Sequence, residues 1–367
     1  MNTPRPIHFI VTEDRVELVN AIKEKLQILL GDRPVESQVL PYKYFKDSSP
    51  NEEFPESVRG KHVYIISDVF SNAENNENYD SSVNDRYEYS RGFQKIAQNS
   101  KAKTINVIFP AFPYARDDKF DHMGCSAHMK RTANRASIVI EDSLNRGLSY
   151  VITHDIHNLA TFAVPRFGGM NTSFISLAYG RTIQEVIKRT GIKQKNTILS
   201  GTDQGATKKI EAVCKDLHIN YLEASKKRDY TKPQSVSKIK VYGSVNKKDV
   251  ILYDDILDTG GTLITCLKEI WNKKGKPNSV NLLISHGLFN GNSLEQVLEA
   301  HKAGLFNKLY ITNSVLRTQL ETFFEEHNYP SFIETIDLST IFAHTIASIV
   351  QEKDINYNNN TPILATV

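Results

Sequence analysis

Eight short apolar or β-branched runs punctuate the chain: HFIVT (8–12), HVYIIS (62–67), TINVIFP (104–110), YVITHD (150–155), NTILSG (196–201), VILYDD (250–255), SVNLLISHG (279–287) and KLYITNS (308–314). Between them lie amphipathic stretches of helical length, such as VELVNAIKEKLQILL (16–30), TIQEVIKRTG (182–191) and TKKIEAVCKDLHI (207–219). Strands alternating with helices of this length predict an α/β fold of mainly parallel sheets flanked by helices. Several runs end in acids or His followed by Gly or Thr. In open parallel sheets ligands bind outside the carboxyl ends of the strands, so function is expected there.

At 367 residues the chain exceeds one ordinary core and suits two domains. PRFGGMNTS (165–173) interrupts the pattern with Pro and Gly, which sets expected domains at 1–170 and 171–350 and a tail at 351–367. The Asn-rich segment SNAENNENYDSSVN (71–84) reads as a surface loop or insertion, and EKDINYNNNTP (352–362) is similar.

A net charge of +3 among 45 basic and 42 acidic side chains supports neither a nucleic-acid partner nor a membrane partner. Cys125, Cys214 and Cys266 are far apart, with no CxxC spacing, which fits a reducing compartment better than a disulfide framework or zinc site. MNTPRPIHFIVTEDR has no basic region followed by a long apolar run and reads as a first strand. No segment approaches the ~20 apolar residues of a membrane span. Cytoplasmic location is the expectation.

VILYDDILDTGGTL (250–263) carries the most chemistry. Thr259, Gly260, Gly261 and Thr262 offer consecutive N–H groups and two hydroxyls near a helix start, whose dipole favours an anion. Asp254 and Asp255 would repel that anion; they suit hydroxyls, or a metal shared with the ligand. Together these features describe a phosphorylated sugar lying across the loop. The plainer alternative is a strand-to-helix turn with Asp258 or Thr259 as N-cap. GTDQGATKK (201–209) offers a second turn of the same kind, or again only an N-cap. In THDIH (153–157), extended chain would project Asp155 and His157 to one face, where imidazole and carboxylate can hold a divalent cation. SKKRD (225–229) by itself is a solvated basic loop.

VILYDDILDTGGTL resembles the ribose-phosphate motif of type I phosphoribosyltransferases and of ribose-phosphate diphosphokinases, also called phosphoribosyl pyrophosphate synthetases. FPAFPYARDDK (109–119), THDIH, GTDQGATKK, SKKRD and SHGLFNG (285–291) occur in the order and spacing of the diphosphokinases. ESVRGKHVYII (56–66) resembles the end of that family's first hairpin, and IDLSTIFAHTI (336–346) its late helix. The resemblance spans nearly the whole chain and implies two phosphoribosyltransferase-like domains, the first with the ATP side and a flag region. The implied reaction is Mg²⁺-dependent transfer of the diphosphoryl group of ATP to ribose 5-phosphate.

It also implies residue roles. Lys226 and Arg228 match the mobile catalytic pair. Asp254, Asp255, Asp258, Thr259, Gly260, Gly261 and Thr262 match the ribose 5-phosphate site. Asp203, Gly205 and Lys208 fall in the pyrophosphate loop, with His157 and Asp203 toward the metal. Phe45, Asp47, Arg116, Asp117 and Asp118 fall on the ATP side. A homo-oligomer, dimer or hexamer, is the family's habit. Departures cluster on the ATP side: Ser49 stands where a Glu is expected, Asp117 where a Gln is usual, and Met123 to Ser126 replace Ser-Arg-x-Pro. Such a pattern fits a divergent active enzyme. The alternatives are a regulatory homologue that associates with an active synthetase, or a type I phosphoribosyltransferase.

Overall fold

The computed structural model describes residues 4–70, 82–117, 133–163, 172–177, 179–227, 238–316, 318–327 and 331–352, excluding the side chains of 160, 163, 226, 227, 238, 318 and 319. The chain forms two compact units.

In the first unit, strands β1 (Ile7–Thr12), β2 (Val35–Leu40), β3 (His62–Ile66), β4 (Thr104–Phe109), β5 (Tyr150–His154) and β6 (Ser173–Leu177) form one sheet in the order β2-β1-β3-β4-β5-β6. Every pairing is parallel. Helix α1 (Val16–Leu30) buries Leu18, Val19, Ile22 and Leu26 along one stripe, the spacing a 3.6-residue period demands. It ends at Gly31, whose φ of +61° suits glycine. Helix α2 (Val83–Asn99) starts on a capping box between Ser82 and Asp85, and α3 (Arg135–Asn145) follows β4.

The second unit holds α4 (Gly180–Thr190), β7 (Thr197–Gly201), α5 (Gln204–Leu217), β8 (Asn220–Lys227), β9 (Lys238–Tyr242), β10 (Asp249–Leu257) and α6 (Gly261–Trp271). It continues through β11 (Ser279–Gly287), α7 (Ser293–Lys302), β12 (Lys308–Thr312), α8 (Thr318–Glu326) and β13 (Ile333–Ile336). The strand order is β13-β12-β11-β10-β7-β8-β9, parallel except for the β8–β9 hairpin. Helix α9 (Ser339–Val350) follows this sheet in sequence but belongs to the first unit, where it packs on α1.

Both sheets are buried on both faces, as parallel sheets require. Along β10, Val250 and Leu252 join one core cluster with Leu263 and Leu267 of α6. Ile251 and Tyr253 join another with Ile183 of α4 and Ile210 of α5. This alternation decides where the two acids that follow must point. Each sheet also has a place where successive connections leave in opposite directions: between β1 and β3 in the first, and between β7 and β10 in the second. Such a switch point opens a crevice at the carboxyl ends of its strands.

Candidate active site

The second unit's switch point gathers what the sequence placed at two distant motifs. β7 ends at Gly201, and Thr202 and Asp203 lead into α5. Asp203 is the N-cap of α5, its Oδ1 accepting from the Ala206 N–H at 3.0 Å. Helix and strand approach so closely here that a Cβ on Gly201 would lie 2.7 Å from the Ala206 carbonyl carbon. Gly201→Ala is therefore expected to lower stability by about 1–3 kcal/mol through overpacking, read as a lower denaturant midpoint. An unchanged midpoint would show that the turn gives way.

β10 does not stop at its acids, as the apolar run 250–255 implied, but continues through Leu257. Ile256 and Leu257 remain in register with His286 and Gly287 of β11. Asp254 and Asp255 thus lie within a strand and face opposite sides of the sheet. Asp255 is buried and forms an ion pair with Lys209 of α5, Nζ to Oδ2 2.5 Å. The Tyr179 hydroxyl donates to the Lys209 carbonyl, and its ring stacks on Tyr253 at 4.7 Å. Asp254 keeps partial exposure yet is surrounded by protein. Burial pushes its carboxyl above the ordinary range; the charges of Asp255 and Asp203 add to this, whereas Thr202 and Lys209 oppose it. The buried Thr202 hydroxyl leans toward this carboxylate without a hydrogen bond of regular geometry.

The turn after β10 differs from a plain capped helix start. Neither Asp258 nor Thr259 is the N-cap of α6; that position is Gly260, at φ +79°. A left-handed backbone without a side chain suits a loop that lets an anion approach the helix N-terminus. Thr259 and Gly261 are exposed, and Asp258 accepts from Asn290 Nδ2 at 2.7 Å.

Lys209 is absent from the roles assigned from sequence, which named its neighbour Lys208. Lys208 is exposed. The signal was present: Ala206, Ile210, Val213 and Leu217 form the buried stripe of α5. At about 100° per residue, Lys209 flanks that stripe and Lys208 lies opposite. Gly205 sits exposed in the first turn of α5. Lys226 falls in β8, which runs on past its last pairing with β7, Ser200 to Leu222, as one arm of the hairpin with β9. The Lys226 side chain and Arg228 lie outside the described residues.

In the first unit the expected ATP-side residues also sit beyond the carboxyl ends of strands. Phe45 is 53% exposed, so it is not a core aromatic. It stands in a tight turn closed by its N–H donating to the Ser49 carbonyl at 2.8 Å. Ser49 donates to Asp47 Oδ1 from its hydroxyl (2.6 Å) and its N–H (3.0 Å), which holds the Asp47 carboxyl below the ordinary range. Arg116 is exposed after β4. Asp117 is engaged at the start of α3, accepting from the Arg135 N–H at 3.3 Å. Asp118 and the flag residues Met123 to Ser126, with Cys125, lie outside the described residues.

The expectation that Asp155 and His157 share a face is overturned. The chain leaves β5 at His154 and turns, with Asp155 in the left-handed region at φ +43°. Its N–H donates to the Leu177 carbonyl (2.9 Å), and the Ile156 N–H to the Ser176 hydroxyl (3.1 Å). Asp155 is buried, and His157 is exposed. Among the described residues no group of three or more His, Cys, Asp or Glu is arranged to hold a metal. Magnesium usually takes one or two carboxylates and completes its shell with substrate phosphates and water. The Asp203 and Asp254 carboxylates of the second unit, near enough for the charge of Asp203 to act on Asp254, fit that requirement. No helix among the described residues is long and apolar enough to cross a membrane.

Residues 7–137 match the sequence model for the N-terminal domain of ribose phosphate pyrophosphokinase. A ribose-phosphate pyrophosphokinase of Mycoplasma pneumoniae is 26% identical over 95% of this chain and 92% of its own length. One of Campylobacter jejuni is 24% identical over 93% and 95%. The fold is that of the crystal structure of phosphoribosylpyrophosphate synthetase from Mycobacterium smegmatis, at a TM-score of 0.71 and 18% identity, covering 95% of this chain and 100% of that one. The N-terminal part of the chain thus matches the N-terminal domain model of ribose phosphate pyrophosphokinase, and almost its whole length is similar to proteins named ribose-phosphate pyrophosphokinase.

Proposed function

We propose that the chain is a ribose-phosphate diphosphokinase, transferring the diphosphoryl group of ATP to the anomeric hydroxyl of ribose 5-phosphate to give phosphoribosyl pyrophosphate and AMP. The observation that carries this reading is the β7–β10 switch point, where the two acids and glycine-capped helix start after β10 lie beside the Asp203-capped turn after β7. Asp258, Thr259, Gly260, Gly261 and Thr262 hold the 5-phosphate in this reading, and Asp254 and Asp255 take the ribose hydroxyls. The turn of Asp203, Gly205 and Lys208 receives pyrophosphate. Lys209 offsets the charge of Asp255, so that the phosphates meet a less negative crevice. Phe45 stacks on the adenine, with Asp47, Arg116, Asp117 and Asp118 around the nucleotide.

Lys226 and Arg228 neutralise charge on the transferring phosphoryl groups. Positioning and charge neutralisation carry most of phosphoryl transfer, and no covalent nucleophile is required. Mg²⁺ would supply further charge neutralisation, with Asp203 in the second unit as its carboxylate ligand beside the substrate phosphates. The enzyme works in the cytoplasm as a homo-oligomer.

Incubation with ATP, Mg²⁺ and ribose 5-phosphate is expected to yield AMP and phosphoribosyl pyrophosphate in equal amounts. No AMP under any metal or phosphate condition would reject the reading for this chain alone. Activity only after an authentic synthetase is added would identify a regulatory subunit. Consumption of phosphoribosyl pyrophosphate with a nucleobase would identify a phosphoribosyltransferase.

A further inference from the structure

The segment SHGLFNG has no role in the reaction described above, yet its backbone is shaped around the phosphate turn. Five residues, 288–292, join β11 to α7, and they double back across the end of β10. The N–H groups of Leu288 (2.8 Å) and Phe289 (3.1 Å) both donate to the Leu257 carbonyl. The Asn290 N–H donates to the Asp258 carbonyl at 3.1 Å, and its side-chain Nδ2 to Asp258 Oδ1 at 2.7 Å.

This path is conformationally expensive. Phe289 lies at φ +48°, a region that bulky residues rarely adopt, with its ring buried. Gly287 admits no Cβ, which would run into the Phe289 ring, and Gly291 is also left-handed at φ +63°. Strain of this kind persists where the surroundings over-determine it, and it collects at functional sites. What the strain achieves here is delivery of Asn290 to Asp258.

Asp258 is a carboxylate at the mouth of a turn meant for an anion. An amide donor on Oδ1 fixes its orientation and draws off part of its charge, and the paired backbone bond fixes the peptide entering the turn. We propose that Asn290 is a positioning residue for the phosphate turn, setting the geometry of residues 258–262 through Asp258. This rests on the ribose 5-phosphate reading of that turn. A contact between a neutral donor and a buried or charged acceptor of this kind typically changes binding by about tenfold.

Asn290→Asp, in the full chain, places a carboxylate where the donor stood. The KM for ribose 5-phosphate is expected to rise about tenfold or more, with the KM for ATP within about twofold of wild type. The exchange Asp258→Asn with Asn290→Asp restores an amide–carboxylate pair and is expected to recover most of the loss. A ribose 5-phosphate KM unchanged in Asn290→Asp, or a KM for ATP rising equally, overturns the proposal. Amide hydrogen exchange in Asn290→Ala gives an arm independent of substrate: residues 258–262 are expected to exchange about tenfold faster, with β7 and β10 unchanged. Unaltered exchange in the turn also overturns it. If the wild type forms no AMP, the functional reading fails, and the exchange measurement still decides the role of Asn290.

Discussion

Lys226→Ala is expected to lower kcat by about 10²–10³-fold, the loss that follows removal of one group stabilising transition-state charge. The KM for ribose 5-phosphate should stay within about threefold, because a contact made mainly in the transition state scarcely affects ground-state binding. Lys226 lies on the arm of β8 that extends beyond its pairing with β7, and β7 borders the switch point. In the proposed reaction the phosphoryl groups sit at the Asp203 and Gly260 turns, and Lys226 would neutralise their charge. Equal losses in kcat and in ribose 5-phosphate affinity would make Lys226 an ordinary binding residue. A full-rate Lys226→Ala enzyme would remove it from the reaction.

The second large effect concerns stability. At the first unit's switch point Arg15, in the connection after β1, pairs with Asp68, just beyond β3, and both side chains are 1% exposed. Arg86 of α2 continues the cluster, reaching Asp14 at 2.6 Å and the Tyr42 hydroxyl at 2.9 Å. Asp68→Ala leaves the Arg15 guanidinium buried without that carboxylate, and breaking a buried pair from one side costs about 3–5 kcal/mol. In a unit of this size that lowers the unfolding temperature by on the order of 10 °C. Because the pair is out of reach of bulk ions, the loss should barely change with added salt. Arg15→Met combined with Asp68→Leu is expected to be much less damaging, since both desolvation costs disappear together. A single-variant loss below about 1 kcal/mol would show that water reaches the pair.

Much of the architecture was legible because parallel strands buried on both faces need continuous apolar runs. All eight runs read from the sequence are strands, and VELVNAIKEKLQILL is α1 over the same residues, Val16–Leu30. Five strands escaped notice for identifiable reasons. VESQVL of β2 has three consecutive polar residues, Glu36, Ser37 and Gln38, which a strand at a sheet edge tolerates. The end of β8, 225–227, falls in SKKRD, which read as a basic loop, and β9, KIKVY, is a five-residue hairpin arm carrying two lysines. β13 has only four residues, and β6 begins at Ser173, the last residue of the Pro- and Gly-bearing stretch 165–173 that read as a domain break.

The site was legible to a different degree in each half. Asp254 to Thr262 are consecutive, so their chemistry could be read from local order. Lys209, Asn290 and Arg15 act on partners 46, 32 and 53 positions away, and nothing local marks such a meeting. THDIH failed for a related reason. The same-face reading assumed extended chain, but the bond from Asp155 to Leu177 on β6 turns it at the strand end.

Two mainly parallel α/β sheets, and a glycine-bearing turn into a helix after the strand with two acids, could thus be read from the chain before folding. These are properties of periodicity and of adjacent residues. Three features emerge only when the chain is folded: Asp254 and Asp255 face opposite sides, Lys209 and not its exposed neighbour Lys208 pairs with Asp255, and α9 returns to the first unit. Each of those outcomes depends on which helix covers which sheet face. That is settled by burial across the whole unit, where removing apolar surface from water outweighs any local preference.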